Sequence, residues 1–347
     1  MTLNIDPLVF WTVERSNVNR RRAAGEPQSL WTNDELLATY RFTNPNVQDD
    51  RVSRAIYETI TLPFAEQPNL IVALTACRFS NEPEVFEVIA ECFFPSFDPE
   101  KYVARMAERQ AQGLPLERRA YRIPAGKIKG ELKAACHTRE LFIPLARAVE
   151  QIRPKPGDTV NAVFQRLRGF QFLGKGFITA QIVRDLKQIA PLRDAVDWRE
   201  FVWSGPGSRQ CADCLYEYAV EEAIRREDAR GDWDDHDELG WRSQFQEIIH
   251  LAALRIKEHG IEIDDAASWQ NCMCETFKLL KYRSGDFGGA RKYTPYGETP
   301  MRAPRRAPKS IVTVPDEIKP LAPALPPRPA VHFRRLARRF IVPVGSK

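Results

Sequence analysis

Leu173-Gly174-Lys175-Gly176-Phe177-Ile178-Thr179-Ala180 decides how this chain folds. Two glycines one residue apart let a backbone turn sharply and come close to another group. Thr179-Ala180 then opens a helix whose first N–H groups face whatever lies in the turn, a ready anion site. Residues 158–190 accordingly predict two helices joined near 169–180. Gly174, Lys175, Gly176 and Thr179 become candidate contacts to a phosphate. A plain helix–turn–helix joint, its glycines capping one helix, is the competing reading. The same stretch also imitates a nucleotide-binding loop. Gly169 to Gly176 has P-loop spacing, but it ends in Gly where a hydroxyl must hold Mg²⁺. Bulky Phe170, Phe172 and Leu173 suit a packed hairpin better than a phosphate cradle.

Working outward, 347 residues with 43% hydrophobic and 28% charged content suffice for a sizeable globular core. No apolar run approaches the roughly 20 residues that span a bilayer. Met1 to Asp6 lacks the basic-then-apolar pattern of a secretory leader. The expectation is a cytoplasmic protein, with no membrane partner and reduced cysteines. The net charge of +5 is unevenly spread. From Arg291 to Lys347 there are thirteen Lys/Arg, three acidic residues and eleven prolines, so residues 1–290 are net negative. A segment of that composition is expected to be an extended, disordered basic tail, which finds polyanions or simply solubilises. Residues 1–290 are then one domain and residues 291–347 the tail.

The rest reads as mainly α, with minor strands at most. Residues 8–60 look helical, with a helix start at Trp31-Thr32-Asn33-Asp34 that Thr32 or Asn33 could cap. Leu70 to Leu74 precedes Arg78 and predicts a buried helix, and residues 98–112 an amphipathic one. Residues 118–130 suggest a short strand pair or a basic loop. Helices are expected at 214–230, 241–259 and 264–281, the first two separated by an acidic run from Asp232 to Glu238.

Several words in fixed order carry a resemblance. They are Val13-Glu14-Arg15, Leu30-Trp31-Thr32-Asn33-Asp34, Tyr40-Arg41-Phe42-Thr43-Asn44 and Asp49-Asp50-Arg51-Val52-Ser53-Arg54. The glycine turn follows, then Asp197-Trp198, Gly205-Pro206-Gly207-Ser208-Arg209, Gln270-Asn271-Cys272-Met273-Cys274-Glu275 and Lys281-Tyr282-Arg283. The set, over about residues 8–285, resembles the phage thymine-hypermodification proteins. These are the α-glutamyl/putrescinyl-thymine pyrophosphorylases, or amino acid:DNA transferases, and the helical portion of 5-hydroxymethyl-deoxyuridine (5-hmdU) DNA kinases. The hairpin is similar to that of helix-hairpin-helix DNA glycosylases, where a catalytic aspartate follows about twenty residues later. A helical, glycosylase-like fold acting on modified thymine is implied. With no sound P-loop in the chain, the pyrophosphorylase branch is favoured. Gln210-Cys211 departs from the glycine-rich, basic continuation expected after Arg209.

The reaction so implied replaces pyrophosphate on a thymine 5-methylene by an amine from an amino acid or polyamine. The substrate is double-stranded DNA carrying the modified base, and a separate 5-hmdU DNA kinase is a possible partner. A base must leave the duplex, at a few kcal/mol, and arginines must neutralise the departing pyrophosphate. Arg41, Arg51 and Arg54, with Asn44, are the first candidates, then Arg15 and Arg209; pairing with Asp49, Asp50 and Glu58 is the alternative. The amine needs a carboxylate base: Asp197 first, then Asp185 and Glu275. Lys281 could hold a DNA phosphate. Cys211, Cys214, Cys272 and Cys274 make a poor zinc set, since C-x-C is a weak second half. No metal site is assigned, and Mg²⁺ at the acidic run around His236 stays open. His137 and His250 are read as structural. Two rival functions are a non-catalytic DNA-binding partner of a kinase and a base-releasing hydrolase.

Overall fold

The computed structural model describes residues 3–118, 131–216 and 235–288. Its helices run α1 (Asp6–Ala23), α2 (Glu35–Thr39), α3 (Arg51–Ile56), α4 (Leu70–Ser80), α5 (Phe86–Phe93), α6 (Pro99–Ala111) and α7 (Lys133–His137). There follow α8 (Ile143–Arg147), α9 (Val149–Ile152), α10 (Val160–Arg168), α11 (Phe177–Leu186), α12 (Pro206–Leu215), α13 (Asp235–Lys257) and α14 (Ala266–Arg283). No strand occurs among the described residues, so the expected minor strands are not found there. The strand pair, most of the 214–230 helix, the acidic run up to Asp234 and the basic tail lie outside them. No described helix is long and apolar enough to cross a membrane.

Short polar side chains set the helix starts, because their oxygens satisfy first-turn N–H groups. Asp34, and not the expected Thr32 or Asn33, caps α2 by accepting from Leu37 N–H. Asp50, Asp98, Thr159 and Asp265 do the same for α3, α6, α10 and α14. The apolar run at 70–79 forms α4, whose eleven residues are all buried. It ends at Asn81 in the left-handed region, φ 54°.

Packing divides this body into two hydrophobic cores. One gathers α3 to α11 around Leu74, Phe86, Phe93, Phe142 and Phe164. The other joins α1 and α2 at the front of the chain to α12, α13 and α14 near its end. The segment Phe201-Val202-Trp203 stitches them together. Phe201 and Trp203 enter the first core and Val202 the second, the alternation expected of extended backbone.

Candidate functional site

The words that open and close the resemblance meet in space. Arg15 on α1, 1% exposed, donates from Nε to Thr43 O (3.0 Å) and from a guanidinium nitrogen to Asn44 Oδ1 (2.8 Å). From the other side, α14 presents Asn271, Glu275 and Lys278, spaced to share one helical face. Asn271 Oδ1 accepts from Thr43 Oγ1 (3.0 Å), and Asn271 Nδ2 donates to Asn44 O (2.9 Å). Glu275 Oε2 accepts from Thr43 N–H (3.0 Å), and Lys278 Nζ donates to Arg41 O (2.6 Å). Residues 41–47 are thus clamped by side chains more than two hundred positions away.

This geometry sorts the six residues expected at pyrophosphate. Arg15 is buried and holds the loop through Nε and one guanidinium nitrogen. Asn44 is also committed, accepting from Arg15 and donating to Asp49 O (2.9 Å). Arg41, Arg51 and Arg54 are exposed around the same loop and the start of α3. Arg54 keeps a loose pairing with Asp49 at 3.9 Å, of the weak surface kind. Arg209 belongs to a different cluster, on Ser204 Oγ (2.7 Å) and Glu238 (2.6 Å).

The three candidate bases separate as clearly. Asp197 accepts from Val160 N–H (2.7 Å) and Asn161 N–H (2.9 Å), so both its oxygens cap α10. Asp185 is buried and paired with Arg78, whose Nε donates to its Oδ2 at 2.6 Å. Both carboxylates are therefore held by fixed donors, Asp197 by backbone N–H groups and Asp185 by the Arg78 guanidinium. Glu275 keeps Oε1 clear of any described donor, beside Lys278 at 3.2 Å.

In the hairpin, α10 and α11 pack together across the turn at 169–176. Gly176 has φ +82°, and a Cβ there would lie 2.3 Å from Trp203 Nε1. Its open side therefore receives an indole and not a phosphate. Thr179 is fully buried and donates to Leu173 O (2.8 Å), bracing the turn. Gly174 and Lys175 remain exposed. The guanidinium of Arg168 lies 4.4 Å from the Trp203 ring centre and that of Arg242 5.6 Å away, within cation–π reach. Lys281 pairs with Asp286 at 3.1 Å, at the end of α14.

Sequence reasoning missed a polar lattice through the interior. Arg78 and Arg184 both donate to Ser53 Oγ (3.2 and 3.0 Å), tying α4 and α11 to α3. Lys187 Nζ bonds Asp265 Oδ1 at 2.5 Å across the two cores. Burial pulls the Lys187 ammonium down from its ordinary value, with Asp265 opposing. Glu238, the last residue of the acidic run, is buried at the start of α13 and accepts from Ser204 N–H (2.9 Å). An arginine inside the otherwise apolar run 70–79 was the one advance signal, since such a residue demands a carboxylate partner.

Burial pushes the Cys211 and Cys272 thiols well up and Cys274 up to about 12, while metal ligation needs thiolates. No cluster suited to a metal ion occurs among the described residues. His137 is buried against Phe79, Phe142 and Phe172, whereas His250 is exposed, not apolar-packed as expected.

Comparison with known proteins follows the same residues. The family model of the 5-hmdU DNA kinase helical domain matches residues 3–289. The chain belongs to this family. This helical-domain protein is also similar to the 5-hmdU DNA kinase of Bacillus phage SP10, 22% identical over 223 residues. That match takes in 59% of the chain and 35% of the phage protein, so it spans about a third of that relative. No solved structure matches.

Proposed function

We propose that the chain modifies bases in DNA, replacing the pyrophosphate of 5-(pyrophosphooxymethyl)uracil with an amine. The observation that carries this reading is the clamp of residues 41–47 onto α14. It ties the backbone of exposed Arg41 to Lys278 and that of Thr43 to Glu275, and exposed Arg51 and Arg54 follow on α3. Membership in a family named for a DNA kinase of 5-hmdU supplies the substrate class.

The step needs three things. The amine nitrogen attacks the 5-methylene carbon as the carbon–oxygen bond to pyrophosphate breaks, and pyrophosphate leaves with the bonding electrons. Exposed guanidinium groups take up its growing charge in two-point fashion. Glu275, by Oε1, accepts the proton lost by the amine. The hairpin, with Gly174 and Lys175 at its tip, grips the DNA backbone in the manner of helix-hairpin-helix proteins. The setting is the host cytoplasm of a phage infection.

A second reading has its own support, since the matched family model is a helical domain of a protein named a kinase. On that reading the body holds modified DNA for a separate kinase activity and transfers nothing itself.

One assay separates them. DNA bearing the pyrophosphorylated base is incubated with the protein and a pool of amino acids and polyamines, then digested for mass spectrometry. An amine adduct with pyrophosphate release is expected, and Arg41→Ala should abolish it with the fold intact. Tight binding of the modified DNA with no adduct from any amine overturns the transferase reading in favour of the second.

A further inference from the structure

Two features stand apart from the clamp and the hairpin: a stripe of prolines in the basic segment and an apolar face on the first core. Pro320, Pro323, Pro326 and Pro329 recur at every third position. A polyproline II helix has three residues per turn, so this spacing would put all four rings on one of its faces. Lys319 and Arg328 stand near the ends of the stripe, and no acidic residue follows Glu317. These residues lie outside the described ones, so the stripe is a property of sequence. On the described body, Leu62, 57% exposed, and exposed Pro63 lead into Phe64, whose ring stacks on Phe94 with centres 3.9 Å apart. Exposed Pro95 follows, and Phe97 stacks on buried Phe93 at 4.3 Å. Asp98 N–H closes this bow of chain by donating to Cys92 O (2.8 Å). Phe64, Phe94 and Phe97 rest against the first core while part of each stays in water. Acidic residues rim the face. Glu58, Glu66 and Glu100 are exposed and make no ion pair among the described residues. Such a rim repels duplex phosphates and suits a cationic partner.

We infer that this aromatic face is the docking site of the chain's own segment 319–329, held there as a polyproline II helix. The inference goes beyond the transfer reading and does not depend on it. Three physical points support it. Proline rings pack flat on aromatic rings, and a polyproline II segment is already ordered, so docking it costs little conformational entropy. Lys319 and Arg328 meet the acidic rim, which adds a salt-sensitive attraction and sets the direction of the segment. Reach is ample. The 31 residues from 289 to 319 extend to about 100 Å, and a domain of this size is about 50 Å across. A tethered segment is present at a millimolar effective concentration, so contacts too weak to hold a free peptide keep it docked.

The test uses the full chain and a fluorescein-labelled peptide of residues 318–331, followed by fluorescence anisotropy. In the wild type the tethered segment already fills the face, so the added peptide binds weakly. A variant combining Pro320→Ala, Pro323→Ala, Pro326→Ala and Pro329→Ala loses its own stripe. It should take up the peptide about tenfold or more tightly than the wild type. Adding Leu62→Asp to that variant should abolish the uptake, and because Leu62 is exposed the melting temperature should not change. Adding Glu58→Lys and Glu66→Lys instead should weaken uptake several-fold and flatten its dependence on salt. A peptide of the same composition with its prolines moved off the three-residue period should fail to bind. Amide exchange across 62–68 and 94–98 should be several-fold slower in the wild type than in the four-alanine variant. Equal uptake by the wild type and that variant overturns the docking, as does no uptake by either. Uptake that survives Leu62→Asp overturns the site. A wild type that sediments as a dimer, beside a monomeric four-alanine variant, overturns docking within one chain in favour of a second copy.

Discussion

Arg78 carries a full charge inside a helix whose other residues are almost all apolar, and it is 1% exposed. Desolvating a guanidinium and a carboxylate costs several kcal/mol each, so the pair is tolerated because every group finds a partner. Arg78→Met strands Asp185 and should lower unfolding free energy by about 3–5 kcal/mol. Arg78→Met with Asp185→Leu should recover most of that loss, and chemical denaturation of both variants checks it. No recovery in the double variant would mean the ion pair is not the reason for the loss. Gly176 offers a second test at this scale. Gly176→Ala meets both a positive φ and the Trp203 indole, and should cost about 2 kcal/mol or more. Gly174→Ala, whose Cβ has only an ordinary contact at 3.7 Å, should be near neutral in the same measurement. The two glycines are spelled alike in sequence. The partner that distinguishes them lies twenty-seven positions downstream at Trp203, beyond the reach of any local reading.

The helices themselves were largely legible, because start signals and apolar spacing are local. The amphipathic helix expected over 98–112 is α6 (Pro99–Ala111), and the hairpin pair over 158–190 is α10 and α11. What local spelling could not supply is which carboxylate does which job. Asp197 sits at the distance from the turn that suggested chemistry, yet it serves as a remote cap on α10. Asp197→Ala should therefore destabilise by about 1–2 kcal/mol. Hydrogen exchange should show the loss first at the Val160 and Asn161 amides. Asp197→Asn keeps one acceptor, so it should retain most stability and, if Glu275 is the base, most adduct formation. Loss of all turnover in a fully folded Asp197→Asn protein would return the base to Asp197. The clamp was equally hidden: both of its words were visible, but their meeting is a property of how α1 and α14 pack.

Across the whole molecule, the join between the two cores also encloses charge, the Lys187–Asp265 pair. Lys187 has its ammonium depressed by burial. Below that lowered value the folded protein must keep a charged group in a dry place, which costs stability. Between it and the ordinary lysine value, the unfolded chain binds a proton that the folded one does not. Stability relative to Lys187→Met should therefore rise as pH climbs through that window, approaching about pH 10. A difference that stays flat with pH in parallel denaturation series would contradict the assignment. Glu275, Arg41 and Lys278 sit on the second core's side of the molecule, while the hairpin tip belongs to the first. Any duplex engaged by both must reach across the join. That division also has a consequence for the order of folding. The helices α1 and α2 have no interior of their own until α12, α13 and α14, which lie some two hundred residues further along the chain, have been made. The first core can finish folding while α1 and α2 wait, and the later helices then close with them as a clasp around work already done.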